Sequence, residues 1–368
     1  MVLSLIAASP LTCQGVFQVG LSRASAAEWR VSMEKQIHRI GVLTSGGDAP
    51  GMNAAVRAVV RTAMDLGIGC VGIRRGWNGL IASDFVQLDA TSVSHIIDKG
   101  GTVLYTARSE EFMTEEGRAK ALSTCKLLGL EGIVAIGGDG TFRGALALSR
   151  QAAASGYDLQ VVGIPATIDN DIGCSHYTIG FDTACNTAVQ CIDKLRDTMQ
   201  SHERCSVVEV MGRRAGHLAL YVGISVGATA VLIPERDVDF DRDIVEKIRQ
   251  ARLAGTTHYM VVVAEGAGSA ADIGKRIHDA LGLDPRVTVL GHIQRGGSPT
   301  ARDRETASRM GYMAVAALAS SRGNCIIATQ DGRIVDLDME EALQMKKSFP
   351  MDRYQILEAL TLSGSHRS

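Results

Sequence analysis

From Ile37 onward, the sequence alternates short apolar runs of strand type with longer helical patterns. Such alternation predicts repeated βα units and a mostly parallel sheet. The strand runs are almost continuously apolar, which is typical of strands covered by helices on both faces. We predict strands at 37–43, 70–73, 132–136, 160–164, 206–210, 229–233, 258–264 and 286–290, and helices at 54–66, 117–128, 142–154 and 181–201.

The chain is long enough for two domains. Its 368 residues suit two domains of ordinary size or one large α/β unit. The helical segment 181–201 leads from the first set of strands to the second, so we expect a second α/β domain after it. No Pro/Ser-rich linker separates the halves, and we therefore expect an active site in the cleft between them.

The composition excludes several classes of protein. With 46% hydrophobic and 21% charged residues, the chain is typical of a soluble globular protein. Its net charge of −2 gives no general attraction for nucleic acids or anionic membranes, so an anionic ligand needs locally placed arginines. Its 8 cysteines stand singly, without metal-ligand spacing, and no later stretch could span a bilayer; we expect free thiols in a reducing cytoplasm.

Residues 1–32 differ from the rest of the chain. Their first third is mostly apolar, and Ala24-Ser25-Ala26-Ala27 resembles the small-residue cleavage site of a signal peptide. A basic n-region is missing, however, and polar residues and a proline interrupt the apolar run. Met33 reads like a natural start just before the first strand, so we favour an over-long start over a processed leader or a genuine extension.

Three turns that follow predicted strands are suited to phosphate. The turns 44–53 (T-S-G-G-D-A-P-G-M-N) and 137–141 (G-G-D-G-T) each stand between a strand and a helix, and P-A-T-I-D-N-D at 165–171 follows the next strand. Glycines let the backbone approach a ligand closely, and a helix N-terminus offers unpaired N–H groups to a phosphate. The chain is therefore expected to handle a nucleotide phosphate.

The carboxylates in two of these turns indicate phosphoryl transfer. That reaction needs alignment, a metal that bridges phosphates, and a carboxylate that orients or deprotonates the accepting hydroxyl. Asp139 would bind magnesium, and Asp169 and Asp171 would supply the carboxylate and a second metal contact. The structural alternatives are a helix-capping role for Asp139 and an ordinary Asx-rich turn for the other two.

Basic residues near the ends of predicted strands complete this inventory. They form a candidate anion clamp and comprise Arg108, Arg204, Arg213, Arg286, His292 and Arg295. The sequence G-I-G-C-V-G at 67–72 matches a dinucleotide fingerprint, but it ends a helix and opens a strand, which is the reverse of the required order. Dinucleotide binding is therefore excluded there, and a Walker A sequence is absent.

Taken together, these segments resemble the bacterial type of ATP-dependent 6-phosphofructokinase. The similarity extends from about Ile37 to Tyr354 and rests on segments in the family's order and approximate spacing: 44–53, 137–141, 167–171, 179–181, 206–213 and 289–299. The resemblance implies a homotetramer whose subunits have two Rossmann-like three-layer α/β/α domains with mostly parallel sheets. It also implies transfer of the γ-phosphoryl group of ATP to the 1-hydroxyl of fructose 6-phosphate.

The resemblance also assigns domains. Residues 33–180 plus about 294–345 would bind ATP, and residues 181–293 plus about 346–362 would bind fructose 6-phosphate. The segment 1–32 would lie outside both domains as an N-terminal extension, and 363–368 would form a polar tail.

By the same resemblance, Asp169 is the base for the 1-hydroxyl, and Thr167 and Asp171 support it. The catalytic set also includes Arg213 and Arg108, and Asp139 holds Mg²⁺. ATP would contact Gly47, Trp77, Arg108, Arg118, Gly138, Asp139, Gly140, Thr141 and Gly144. Fructose 6-phosphate would contact Thr167, Asp169, Met211, Gly212, Arg213, Glu265, His292 and Arg295, with Arg204 and Arg286 reaching in from a neighbouring subunit.

Two positions bear on the phosphoryl donor. Pyrophosphate-using relatives carry Asp at the position of Gly140 and Lys at that of Ala166, and neither is present here. An aspartate at 140 would crowd the α-phosphate of ATP, and a lysine at 166 would supply charge that a smaller donor needs. The small residues favour ATP, although Ala166 stands where the ATP enzymes usually have glycine.

The family's effector site, which binds ADP or phosphoenolpyruvate between subunits, is altered. It would retain Arg57, Arg61, Arg196, Gly255 and His258. Basic residues are replaced by Ala90, Ala254 and Thr256, and an acidic residue by Thr229. Each lost charge-assisted contact is worth about 1.5 to 3 kcal/mol, so we expect a weak effector response.

Two alternatives remain open: a pyrophosphate-dependent phosphofructokinase, and a non-catalytic sensor of nucleotides or sugar phosphates. The sensor is disfavoured because a sensor could lose the catalytic residues, which are intact here. NAD kinases and lipid kinases share G-G-D-G but lack the M-G-R and G-H-I-Q-R segments at 211–213 and 291–295.

Overall fold

The structure is a computed structural model that describes residues 37–361. The expected N-terminal extension and the polar tail lie outside the described residues. The strands within them are β1 Arg39–Ser45, β2 Gly69–Ile73, β3 Phe85–Leu88, β4 Gly132–Gly137, β5 Gln160–Pro165, β6 Cys205–Val210, β7 Ala230–Leu232, β8 Tyr259–Ala264, β9 Arg286–Val289, β10 Cys325–Gln330 and β11 Arg333–Asp338.

Helices connect most of these strands. They are α1 Met52–Asp65, α2 Gly76–Ala82, α3 Glu115–Leu128, α4 Asp139–Ala154, α5 Phe181–His202, α6 His217–Ser225, α7 Lys247–Leu253, α8 Ala270–Leu281, α9 Ala301–Ala319, α10 Met339–Gln344 and α11 Met351–Thr361. Short 3₁₀ helices lie at Glu111–Met113 and Gly291–Arg295, and a π-helical turn at Asp241–Glu246 leads into α7.

The first sheet has seven strands in the order β11-β10-β5-β4-β1-β2-β3. The five inner strands are parallel, and β11 and β3 run antiparallel at the two edges. Ser45 pairs in register with Gly137, and Gly137 with Pro165. The ends of β1, β4 and β5 are therefore level, and the three phosphate-type turns begin at one edge of the sheet.

Helices cover both faces of this sheet. The buried side chains of one face pack with α1 and α9, and those of the other face pack with α2, α3, α4 and α10. Contact between α1 and α9 is close, because a Cβ on Gly311 would lie 2.6 Å from the Cβ of Ala58. Burial on both faces explains the continuous apolar runs of the inner strands.

The second sheet has four parallel strands in the order β7-β8-β6-β9. Helices α5 and α6 cover one face, and the π-helical turn, α7 and α8 cover the other. After β9 the chain returns to the first sheet with α9, β10, β11 and α10, and α11 then packs on α6. The predicted α/β architecture with two three-layer units and mostly parallel sheets is confirmed.

The predicted strands and helices are found with boundaries shifted by a few residues. Other elements were not predicted, including β3, β10, β11, α2, α6 and α9. Helix α6 is apolar on all sides and shows no helical period, which is typical of a buried helix. None of the helices in residues 37–361 is long and apolar enough to cross a membrane.

Candidate active site

A cavity of about 420 Å³ opens where β1, β4 and β5 end. The strands β1 and β4 are neighbours, but α1, which follows β1, and α4, which follows β4, pack on opposite faces of the sheet. Such a switch of faces leaves a crevice at the carboxyl edge, where open α/β sheets bind their ligands. Arg213 and Arg295, which follow strands of the second sheet, close the cavity from the other side.

The turn from β4 to α4 forms the centre of the cavity wall. Gly137 has no room for a side chain, because a Cβ would collide with the backbone oxygen of Ser45 and with Thr141. The Cβ positions of Gly138 and Gly140 face open space instead, with no atom within 4 Å. Thr141 Oγ1 donates to the oxygen of Ser45 at 3.1 Å and so ties this turn to the end of β1.

Asp139 is the first residue of α4, and its side chain is about half exposed. The N-cap is Gly138, and it makes no side-chain cap hydrogen bond, so a capping role for Asp139 is not observed. The carboxylate pairs with Arg143, whose Nε lies 2.7 Å from Oδ2. Arg143 did not figure in the sequence analysis, although its spacing of four residues from Asp139 is the signal for such a pair.

Asp169 is the most unusual carboxylate in the cavity. It is 7% exposed, and within residues 37–361 its Oδ1 has no hydrogen-bond partner. Burial, and then the nearby charge of Asp171, raise its pKa to about 6, while Arg295 and Arg213 act in the opposite direction. A carboxylate that is ionised at neutral pH yet more basic than usual is suited to accept a proton.

The backbone around Asp169 is held in a tight turn. Thr167 Oγ1 accepts from the N–H of Asp169 at 3.2 Å, and Thr178 Oγ1 donates to the oxygen of Thr167 at 2.6 Å. Asn170 has a φ of 51°, in the left-handed region that non-glycine residues rarely adopt. Because Oδ1 of Asp169 has no hydrogen-bond partner within residues 37–361, an Asx turn through this oxygen does not account for the carboxylate.

Asp171 lies within electrostatic range of charged residues that follow strands of both sheets. Burial raises its pKa, and Asp139 adds to the rise, while Arg213 and Lys347 lower the pKa. The described residues contain no group of three His, Cys, Asp or Glu side chains placed to hold a metal. Mg²⁺ in kinases, however, commonly uses one or two carboxylates and completes its shell with substrate phosphates and waters. Asp139 and Asp171, two oxygen donors on one cavity wall, fit that kind of site.

The second sheet contributes through the loops after β6 and β8. Gly212 and Arg213 both have positive φ, 136° and 58°, and this turn brings Arg213 to the cavity. Glu265 follows β8, and its Oε1 accepts from the N–H of Arg213 at 2.5 Å. Arg213 is thereby fixed through its backbone, and its guanidinium group remains available to an anion.

Arg295 links the second sheet to the first glycine turn. It ends the 3₁₀ helix after β9, and its Nη1 donates to the oxygen of Asp48 at 3.0 Å. A Cβ on Gly47 would lie 2.5 Å from that nitrogen, so a side chain at this position would displace the end of Arg295. Gln294 is fully buried and its Oε1 accepts from the N–H of Met211 at 3.4 Å, a role that the sequence analysis missed.

Two stacked aromatic rings form the far wall. Trp77 lies on Phe112 with ring centroids 4.4 Å apart and an interplanar angle of 8°. Gly144 leaves room for them, since its Cβ would lie 3.0 Å from the Phe112 ring and 3.1 Å from Trp77 Nε1. That indole nitrogen is buried and has no partner among the described residues, so a ligand in the cavity could accept from it.

Most predicted site residues line this cavity. They are Gly47, Trp77, Arg108, Gly138, Asp139, Gly140, Thr141, Gly144, Thr167, Asp169, Asp171, Arg213 and Arg295, joined by Ser109, Phe112 and Met113, which were not predicted as ligands. The lining does not include Met211, Gly212, Glu265 and His292, which lie in the adjoining loops after β6, β8 and β9.

Three predicted residues lie elsewhere. Arg118 does not line the cavity; its Nη1 donates to the oxygens of Phe112 and Met113 at 3.2 and 2.8 Å and so braces the segment beside Trp77. Arg204 immediately precedes β6 and Arg286 begins β9. Both therefore stand at the opposite edge of the second sheet from the loops that reach the cavity.

A second cavity of about 240 Å³ contains part of the expected effector pocket. Arg196 and His258 line it, together with Thr229 and Thr256, and Gly255 precedes that last residue. Arg57 and Arg61 are on α1 and do not line it; Arg61 Nη2 donates to the oxygen of Ala90 at 3.1 Å. The described part of the chain therefore places only Arg196 and His258, of the five predicted effector residues, in the lining of this cavity.

Comparisons with known proteins agree with this geometry. The family model described as Phosphofructokinase matches residues 39–318. The ATP-dependent 6-phosphofructokinase of Clostridium botulinum is 50% identical over 322 residues, which are 88% of this chain and 99% of that protein. The enzyme of the same name from Clostridium tetani is 51% identical over 325 residues, which are 88% of this chain and 100% of that protein.

Solved structures show the same fold. Phosphofructokinase from Saccharomyces cerevisiae superposes with a TM-score of 0.83 at 32% identity over 89% of this chain, which spans about half, 51%, of the yeast chain. The pyrophosphate-dependent phosphofructokinase of Marinobacter aquaeolei, at 21% identity, has a TM-score of 0.77 over 89% of this chain and 93% of its own. From its sequence, fold and site, this chain belongs to the phosphofructokinase family.

Proposed function

We propose that this chain is an ATP-dependent 6-phosphofructokinase. It transfers the γ-phosphoryl group of ATP to the 1-hydroxyl of fructose 6-phosphate, which gives fructose 1,6-bisphosphate and ADP. The observation that carries this proposal is Asp169, a buried carboxylate with an unpaired oxygen and a pKa of about 6, in the same cavity as a glycine-rich phosphate turn.

Residues that follow strands of the first sheet bind ATP, and residues that follow strands of the second sheet bind the sugar phosphate. Backbone N–H groups at the start of α4 bind the ATP phosphates, and Arg108 steadies them. Arg213 and Arg295 hold the sugar phosphate, so that its 1-hydroxyl lies at Asp169, which takes the proton as the oxygen attacks. Mg²⁺, held by Asp139 with support from Asp171, would neutralise the phosphate charge that develops during transfer.

The phosphoryl donor is proposed to be ATP. Gly140 presents open space to the cavity, and an aspartate there would place a carboxylate beside the nucleotide phosphates. Ala166 is also small and 1% exposed. A coupled assay with fructose 6-phosphate and either MgATP or magnesium pyrophosphate tests this choice: we expect turnover with ATP only. Turnover with pyrophosphate alone would favour the pyrophosphate-dependent alternative, and turnover with neither would favour a sensor.

The protein is further proposed to act as a homotetramer in the cytoplasm. Arg204 and Arg286 stand away from the cavity of their own chain, which supports a role in the site of a neighbouring subunit. Mixing Asp169→Asn subunits with Arg204→Ala/Arg286→Ala subunits tests this, because shared sites would regain activity in some mixed tetramers. No recovery after verified subunit exchange would count against shared sites.

A further inference from the structure

The last crossing of the chain between the two sheets runs against the loop that follows the catalytic aspartates. Helix α10 packs on the first sheet and α11 packs on α6 of the second, so residues 345–350 form the crossing segment. A Cβ on Gly173 would collide with the backbone oxygen of Met345. The crossing segment therefore lies in backbone contact with the chain two residues beyond Asp171.

Lys347 is the charged residue of that contact. Its Nζ donates a hydrogen bond to the backbone oxygen of Ser175. Its charge acts on Asp171, whose pKa it lowers, and burial lowers the pKa of Lys347 itself to about 8. Burying an ammonium group costs free energy, which the hydrogen bond to Ser175 and the nearby charge of Asp171 partly offset.

The loop that Lys347 holds is also bonded to the end of β10. Ser175 is fully buried, and its Oγ donates to the oxygen of Tyr177 at 2.7 Å and accepts from the N–H of Thr329 at 3.0 Å. The N–H of His176 donates to the oxygen of Thr329 at 2.8 Å. The loop is thus fixed to β10 on one side and to the crossing segment, through Lys347, on the other.

We propose that Lys347 is a positioning residue for phosphoryl transfer, which holds the loop after Asp169 and Asp171 in place from the crossing segment between the sheets. This inference rests on the proposed function. Within residues 37–361, the hydrogen bonds of Arg213, Arg295 and the glycine turn at Thr141 go to residues outside this loop, so the loss of Lys347 should affect alignment of the base far more than binding of either substrate.

The test compares Lys347→Met with Lys347→Arg, which retains the charge and the donor, and with Lys346→Met, a matched change at the exposed neighbour. We expect Lys347→Met to lower kcat about 10- to 100-fold with less than about threefold change in either KM. Lys347→Arg should recover most of the loss, and Lys346→Met should match the unmodified protein. An unchanged kcat in Lys347→Met, or a loss confined to KM, would overturn the proposal.

Hydrogen–deuterium exchange gives a second readout that does not depend on turnover. Peptides that cover 167–178 should exchange faster in Lys347→Met than in Lys346→Met, and Lys347→Arg should restore slow exchange. Equal exchange in all three variants would also overturn the proposal. Should Lys347→Met not fold, Lys347→Leu, which also removes the charge and the donor, replaces it under the same criteria. An inactive unmodified protein would refute the proposed function, while the exchange comparison would still decide the role of Lys347.

Discussion

The two cavities differ in what their arginines are free to do. In the active-site cavity, Arg213 is fixed through its backbone N–H, so its guanidinium group can face an anion. In the smaller cavity, the guanidinium of Arg196 donates to the oxygen of Val226, the residue that follows α6. The comparison teaches that a pocket arginine offers most of its charge to an anion where other contacts hold its backbone, as in Arg213, and less where its guanidinium already donates to a carbonyl, as in Arg196 and, through one nitrogen, in Arg295.

The largest expected effect comes from the base of the active-site cavity. Asp169→Asn should lower kcat by about 10²- to 10⁴-fold, because the amide cannot accept the proton of the 1-hydroxyl. Binding of ATP should change little, since the glycine turns are untouched. Steady-state kinetics and nucleotide titration measure both quantities. An unchanged kcat would remove Asp169 from the role of base.

The same variant has an informative control. Burial and the neighbouring charges together destabilise the ionised Asp169 by up to about 3 kcal/mol, as the rise of its pKa from 3.8 to about 6 indicates. Above pH 6, Asp169→Asn should therefore unfold at the same temperature as the unmodified protein or at a higher one. A lower melting temperature would mean that the kinetic loss includes a folding defect.

A charge placed on the phosphate turn should have the next largest effect. We expect Gly140→Asp to lower kcat/KM for ATP by about 100-fold, because the carboxylate would stand beside the nucleotide phosphates. The KM for fructose 6-phosphate should hardly change. Gly140→Asn is the matched control, since it adds nearly the same volume without the charge. If both variants lose activity equally, crowding and not charge explains the loss.

The pH dependence of the reaction should be smaller and follow Asp169. Its proton-accepting form is lost below its pKa of about 6, so kcat/KM should fall about tenfold per pH unit there. Stability should change in the opposite sense. The folded state binds the proton more tightly than the unfolded chain, so this group's contribution to the free energy of unfolding is fully present below about pH 4 and is lost as pH rises through 6.

Measurements of activity and of melting temperature from pH 4 to 8 test whether these two quantities change in opposite directions with pH. Asp169→Asn should remove this group's contribution to both curves. An activity profile that is flat down to pH 5 would contradict the raised pKa of the base.

The strands and turns that form the active-site cavity could be predicted from the sequence, whereas one of the helices that packs beside them could not. The apolar runs of β1, β4 and β5 identified the strands, and the turns after them identified the wall of the active site. Helix α9 was missed because small residues such as Gly311 form much of its packing face and give little hydrophobic contrast.

Long-range partners were missed for a different reason. Asp303 on α9 is completely buried and accepts from the N–H groups of Gly180 at 2.7 Å and Thr183 at 2.9 Å, at the start of α5. Lys347 binds a loop 172 residues earlier in the chain. Neither contact has a local period or spacing, so only the folded chain brings these residues together.

The smallest expected effect concerns the second cavity. Phosphoenolpyruvate or ADP should change the rate at limiting fructose 6-phosphate by less than about twofold, because each missing charge-assisted contact lowers the affinity of the chain for the effector. Ala254→Arg combined with Thr256→Lys should increase the response of the rate to these effectors, because it returns two cations to this region. Leu253→Arg, on the exposed end of α7, serves as a control for added charge. A strong shift of the unmodified protein by phosphoenolpyruvate would show that Arg196 releases Val226 on binding, and the distinction between the two cavities would then fail.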